Sequence, residues 1–243
     1  MRRVLQLSAL LLFCANLAFA QHDPNDEVRS IILLARHGVR APIESETRSG
    51  AYNAQPWPAW PVKPGVLTEH GASALRLLGD FYRSRYPSLF DHISCDDPGI
   101  YVEANSTQRT IASAKALLSG LVPDCSIKIH RTPVGQRNPL FSPPEDNPVI
   151  NARWTDAING RIADQPEWFT NAFAGTLEKL HRVLLNCEVK RCDSGRPDFR
   201  TVRGENGIVS SRNMREESPV KVGADFAENF LLEYTEGLPM EQV

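Results

Sequence analysis

The chain has 243 residues and a formal net charge of -2, enough for one large domain or two small ones. Its near-neutral balance and ordinary composition exclude recognition of nucleic acid or a membrane surface by bulk charge, so any anion site has to be local.

In chain order, the first feature is an export signal. Met1-Arg2-Arg3 is positive, Val4 to Leu17 is apolar, and Ala18-Phe19-Ala20 fits a small-x-small cleavage site. Cleavage is expected before Gln21, giving a periplasmic or secreted protein. The apolar run is short for a membrane span, so no stable membrane association is expected afterwards. Phe13 is too bulky to favour lipoprotein processing at Cys14. Loss of Cys14 leaves Cys95, Cys125, Cys187 and Cys192. An even count in an exported chain points to disulfides, and more than one pairing is possible. Cys187 and Cys192 can close a tight loop, which favours that pair together with Cys95–Cys125. A zinc site lacks CxxC spacing and nearby histidines, so no metal is expected.

Gln21 to Glu27 is a polar lead-in. Val28 to Ala35 then reads as a buried strand, with Val28, Ile31, Ile32, Leu33 and Leu34 nearly continuous. That places Arg36-His37-Gly38 at the carboxyl end of a strand, where open α/β sheets bind ligands. Pro42 to Pro64 is a proline-rich loop containing Trp57 and Trp60. It either packs its tryptophans on the body or walls a cleft. Thr68 to Tyr86 is a predicted helix capped by Thr68, with Leu75, Leu78, Phe81 and Tyr82 on one face. Ile100 to Glu103 is a short strand. Ser106 or Thr107 opens a second helix, with Ile111, Ala114, Leu117, Leu118 and Leu121 inward and Pro123 as its stop. Ser126 to His130 alternates like a strand. Prolines and polar residues dominate Thr132 to Val149, and a domain transition is placed there. Helical patterns follow over Pro166–Asn186 (Trp168, Phe169, Ala172, Phe173, Leu177, Leu180, Leu184) and Val222–Tyr234 (Phe226, Phe230, Leu231, Tyr234). The early alternation predicts an α/β domain over 21–131, and residues 132–243 a mainly helical subdomain.

Arg36 and Arg40 bracket His37. Two guanidinium forks at a strand end match the oxygens of a phosphate. A neutral imidazole between them is a competent nucleophile toward phosphorus, and the arginines would offset charge on the equatorial oxygens. The implied anion is a phosphate dianion. His70, His92, His130 and His181 have no metal-ligand spacing and read as structural or surface residues.

With "ARHGVRAP", "WPAWPVKPGVLTEHG", "GLVPDC", "NPLF" and "FAENFLLEYTEGLP", the sequence resembles the histidine acid phosphatases from about Val28 to Pro239. The nearest likeness is to bacterial periplasmic phytases and glucose-1-phosphatases. The resemblance implies an open mixed sheet flanked by helices. It implies hydrolysis of phosphate monoesters (sugar or inositol phosphates) at acidic pH, with no cofactor. His37 would be the nucleophile that becomes phosphohistidine. Arg36, Arg40 and Arg109, in "STQRT" at a helix start, would bind phosphate, and Glu228 would line the substrate pocket.

The sequence departs from that pattern in several places. The family's late His-Asp pair supplies the acid that protonates the leaving group. Here His-Asp occurs only at His22-Asp23, in the polar lead-in. The expectation is therefore a front portion of a longer protein with an incomplete sheet. The alternative to a phosphatase is a non-catalytic phosphate-binding product lacking the general-acid Asp. Ile43, Glu44 and Asn105 stand where phytate-preferring members carry other residues, so phytate itself is not assigned. A sugar-phosphate mutase is disfavoured by the export signal and the cysteines.

Overall fold

The computed structural model describes residues 27–43, 50–96, 98–133, 135–136, 138–141, 148–149, 152–153, 156–157, 160, 171–186, 195–202 and 218–239. The expectations for the leader, His22, Asp23, Glu44, Cys187, Cys192 and Pro166–Thr170 fall outside them. The chain divides into two compact units, Met1–Leu34 and Ala35–Val243.

The described residues of the first unit, with Ala35 of the second, correct one expectation. Residues 28–35 belong to no strand among the described residues, and Ile32 and Leu34 are 95% and 90% exposed. An apolar run becomes a buried strand only where neighbours pair its backbone and layers cover both faces. Here no described strand pairs with it.

The second unit builds from local signals. Helix α1 (Glu69–Arg85) starts at Thr68, whose side chain accepts from the Gly71 N–H, and a one-turn helix, α2 (Pro87–Phe90), follows. Strand β1 (Val102–Glu103) leads to helix α3 (Gln108–Leu121), with Thr107 as N-cap and Pro123 just past its end. Strand β2 (Ile129–His130) returns parallel to β1, pairing Val102 with Ile129 and Glu103 with His130. This is the α/β crossover that the alternation predicts. Helix α4 (Ala174–Leu185) and a 3-10 turn at Phe199–Thr201 precede helix α5 (Pro219–Glu236). Ser218 caps α5, Pro219 takes its first position, and Gly237 ends it at φ 81°, the left-handed conformation that glycine adopts without strain.

Helices α1 and α3 cross with their backbones nearly touching. A Cβ on Gly79 would lie 2.2 Å from the Leu117 carbonyl oxygen, and one on Gly120 would lie 2.0 Å from that of Arg76. Beside this crossing, Leu118, Leu121 and Val122 gather Tyr82, Ile100, Ile127 and Ile129 into one core. The Cys95–Cys125 disulfide closes its edge, with Cα atoms 5.1 Å apart. A second core joins α4 and α5 through Leu177, Leu184, Phe199, Val222 and Phe226. Trp57 stacks on Phe226 at 6.0 Å and contacts Phe230 at 5.5 Å, so the packing role holds for this tryptophan. Phe81, Phe173, Leu231 and Tyr234, which the sequence groups with the apolar helical patterns, are exposed.

Helix α5 also buries polar groups. Asn229 and Glu233 are both fully buried. Among the described residues neither Glu233 carboxyl oxygen has a partner in good hydrogen-bond geometry. Burial therefore raises its pKa from 4.5 to about 7, against a weaker opposing bond from Asn229. A carboxyl whose folded-state pKa is raised contributes its full stability below pH 4.5 and loses it as pH climbs through about 7. Ionising it in the folded chain costs about 3 kcal/mol. Denaturant midpoints of the wild type are expected to fall by that equivalent as pH rises from below 4.5 to above about 7. In Glu233→Gln this part of the slope disappears. Identical pH curves for the two proteins would refute the assignment.

Candidate active site

The segment Arg36–Ala41 is pinned from three sides. Arg40 and Leu67 form an antiparallel bridge. The Ala41 N–H donates to Val66 at 3.0 Å, and the Thr68 N–H donates to the Val39 carbonyl at 3.0 Å. On the helix side, the Gly38 N–H donates to Ser113 Oγ of α3 at 3.0 Å. Gly38 lies so close to α1 that a Cβ there would meet the Gly71 carbonyl oxygen at 2.8 Å. His37 is thus held on a backbone with little freedom.

The tautomer of His37 follows from its neighbour. Nδ1 lies 2.8 Å from the Gly38 carbonyl oxygen, which can only accept. Nδ1 therefore carries the proton, and in the neutral ring the lone pair is on Nε2. The His37 pKa is lowered, first by burial and then by the positive charges of Arg40, Arg109 and Arg36, against an opposing effect of the Gly38 bond. The nucleophilic neutral form thus persists to lower pH than in an ordinary histidine.

The arginines differ in setting. Arg40 is buried and donates to its neighbour's carbonyl, Ala41, at 3.1 Å. Arg36 is largely exposed and donates to Glu228 Oε1 at 2.5 Å. The same oxygen lies 3.7 Å from Arg40. Glu228, from α5, thus bridges the two guanidinium groups that bracket His37. Arg109 is the second residue of α3 and lies beside Gly65, whose added Cβ would sit 3.5 Å from Arg109 Nη1. The start of α3 is fixed by Gln108, which accepts the Leu67 N–H at 3.1 Å. The arrangement presents a lone pair among three cationic donor groups, with one carboxylate between two of them.

All five residues singled out from the sequence around this site, His37, Arg36, Arg40, Arg109 and Glu228, come together in the second unit. Three supporting residues were missed. Ser113 is a buried polar residue inside an apolar helix stripe, a signal visible in the sequence. Gln108 carries no local signal, and Glu236, whose side chain meets Thr68, carries only that of a carboxylate in the last turn of a helix. Asn105 shapes its own turn, its side chain accepting from the Ser106 N–H at 2.8 Å and its carbonyl from Thr110 at 2.7 Å. Elsewhere, His130 stacks on Tyr101 at 4.7 Å, and His181 is buried against Phe199. Among the described residues no group of three or more His, Cys, Asp or Glu side chains is arranged to hold a metal ion. None of their helices is long and apolar enough to cross a membrane.

The chain matches the profile of the histidine phosphatase superfamily (branch 2) over residues 27–183. It is 30% identical to phytase AppA of Escherichia coli (strain K12), across 96% of this chain and 56% of that protein. It is 26% identical to glucose-1-phosphatase of Providencia rettgeri, across 88% of this chain and 52% of the relative. Among solved structures, the Hafnia alvei phytase in complex with tartrate superposes with a TM-score of 0.65 at 27% identity, covering 84% of this chain and 52% of the other. The chain thus spans about half the length of the curated relatives it matches.

Proposed function

The chain belongs to the histidine phosphatase superfamily, branch 2, with its α/β fold, and from that premise we propose that the site around His37 takes a phosphoryl group from a phosphate monoester. The observation that carries this reading is the 2.8 Å approach of His37 Nδ1 to the Gly38 carbonyl oxygen, which leaves the lone pair on Nε2 of a ring on which the charges of Arg40, Arg109 and Arg36 act. Nε2 donates its lone pair to phosphorus, and the phosphorus–ester oxygen bond breaks. Its electron pair leaves on the alcohol oxygen, which takes a proton from solvent water. A second water then attacks phosphorus and gives up a proton to solvent, the phosphorus–nitrogen bond breaks with its electron pair returning to Nε2, and inorganic phosphate departs. Arg36, Arg40 and Arg109 hold the equatorial oxygens, and Glu228 contacts the rest of the substrate. The relatives named as phytase and glucose-1-phosphatase support inositol phosphates or sugar phosphates as the substrate class. The reading needs no cofactor or metal, places the protein outside the cytoplasm after removal of residues 1–20, and keeps the boundary between the α/β and helical parts near residue 131.

The test is brief incubation with a phosphorus-labelled aryl phosphate at mildly acidic pH. The expected result is an acid-labile, base-stable label on His37 that turns over to inorganic phosphate. Absence of both label and phosphate binding would sink the reading. Label or bound phosphate without release would select the alternative, a phosphate-binding product without turnover.

A further inference from the structure

Helix α5 meets the arginine–histidine segment and Thr68, the residue bonded to it, at two points eight residues apart, about 12 Å along its axis. One is Glu228 against Arg36 and Arg40. The other is Glu236, in the last turn, whose Oε2 accepts from the Thr68 hydroxyl at 2.6 Å. Thr68 is almost wholly buried, at 1% exposure. Its oxygen also accepts the Gly71 N–H at 3.0 Å as the cap of α1. Its backbone N–H donates to the carbonyl of Val39, two residues beyond His37. One buried residue therefore joins the start of α1, the end of α5 and the backbone that carries the nucleophile. A carboxylate in the last turn of a helix opposes the helix dipole, and no basic residue sits in that turn to compensate. A residue that breaks a local rule signals a gain elsewhere, and the short charge-assisted bond to Thr68 supplies one.

We infer that Glu236 is a positioning residue: through Thr68 it anchors α5 to Val39 and so sets Glu228 against Arg36 and Arg40. This rests on the proposed function for what the clamp holds, but the anchoring itself does not. The core around Phe199, Val222 and Phe226 holds the amino-terminal and middle turns of α5, and without Glu236 its last turn has only Glu228 to tie it to the arginine–histidine segment. With the Glu236–Thr68 bond, the carboxyl-terminal turns of α5 are tied to that segment at two points.

The test compares wild type, Glu236→Ala, Glu236→Gln, Glu228→Ala and the Glu228→Ala/Glu236→Ala double variant, each checked for a cooperative melt. The first readout, free of ligand, is the Arg36 guanidinium N–H signal by nitrogen-15 NMR, held by Glu228 in the wild type. It is expected to be lost in Glu228→Ala and in Glu236→Ala. It is retained in Glu236→Gln, because glutamine keeps an acceptor oxygen for Thr68. The second readout is affinity for inorganic phosphate, which competes with the Glu228 carboxylate for the same donors. Glu228→Ala and Glu236→Ala should each tighten it about fivefold, and the double variant should match Glu228→Ala within about twofold. Survival of the Arg36 signal in Glu236→Ala, its loss in Glu236→Gln, or additive effects in the double variant would overturn the inference. Failure of the wild type to bind phosphate counts against the proposed function instead, and the Arg36 signal then decides on the anchor alone.

Discussion

A His37→Asn chain is expected to form no phosphoenzyme, and its release of phosphate from an aryl phosphate should fall by about 10⁴-fold or more. Asparagine keeps a donor for the Gly38 carbonyl, so the local backbone has no reason to move. It offers no nitrogen lone pair to phosphorus, because its amide nitrogen is conjugated. His37 is neutral when it attacks, so the substitution changes no charge in the clamp. If Arg36, Arg40 and Arg109 hold phosphate as proposed, inorganic phosphate should therefore bind within about threefold of wild type. The contrast between lost transfer and kept affinity identifies a nucleophile; a mere spacer would lose both or neither. The pH dependence of labelling in the wild type gives a second check. The His37 pKa is lowered by burial and by three arginines, so labelling should persist below the usual imidazole range before protonation of Nε2 stops it. Turnover by His37→Asn above about one hundredth of wild type would remove His37 from the chemistry.

What the sequence revealed, and what it hid, follows from the range of the signals involved. Helices α1, α3 and α5 were legible because caps and periodicity lie within a few residues of one another: Thr68 before α1, Thr107 before α3, and the apolar repeat through Phe226 and Phe230 in α5. The placement of Arg36, His37 and Arg40 was legible because one short motif holds all three. Arg109 and Glu228 joined them through the family resemblance alone, and the start of a helix is a physically reasonable place for Arg109. The buried face of α5 was read less well. It runs through Asn229, Leu232 and Glu233, and a search for apolar repeats passes over two of these and selects Leu231 and Tyr234, which face solvent. The expected strand at residues 28–35 failed for a different reason. Apolar composition reports the burial a segment needs, while pairing depends on partners that composition cannot name. The Thr68–Glu236 contact, 168 residues apart in sequence, has no local trace. The near contact of Gly38 and Gly71 has only the two glycines themselves.

That near contact sets the second large expectation, for Gly71→Ala. Three effects compete. Alanine favours the helix by about 1 kcal/mol over glycine. Against this, its Cβ would lie 2.4 Å from the Val39 oxygen and 2.6 Å from the Val39 nitrogen, where ordinary contact begins near 3.4 Å. One side must therefore move by about 1 Å. The obstructing atoms are backbone, and that backbone is tied by the Thr68 N–H to Val39 and by the Ala41 N–H to Val66, so relief by rotating a side chain is closed off. Overpacking of this kind costs up to about 3 kcal/mol or more, and it exceeds the helix gain. The expected net loss is about 2 kcal/mol, measured as a shift in the denaturant midpoint. The functional effect should be larger. Val39 is two residues from His37, and displacing a reacting group by about 1 Å costs about 100-fold in rate. Gly175→Ala is the control, because a Cβ there meets nothing within 4 Å; it should leave labelling of His37 unchanged and stability equal or slightly higher. Gly71→Ala behaving like Gly175→Ala would mean that the close approach of α1 to Val39 does not hold His37 in place, and that the backbone ties to Leu67, Val66 and Ser113 position it instead.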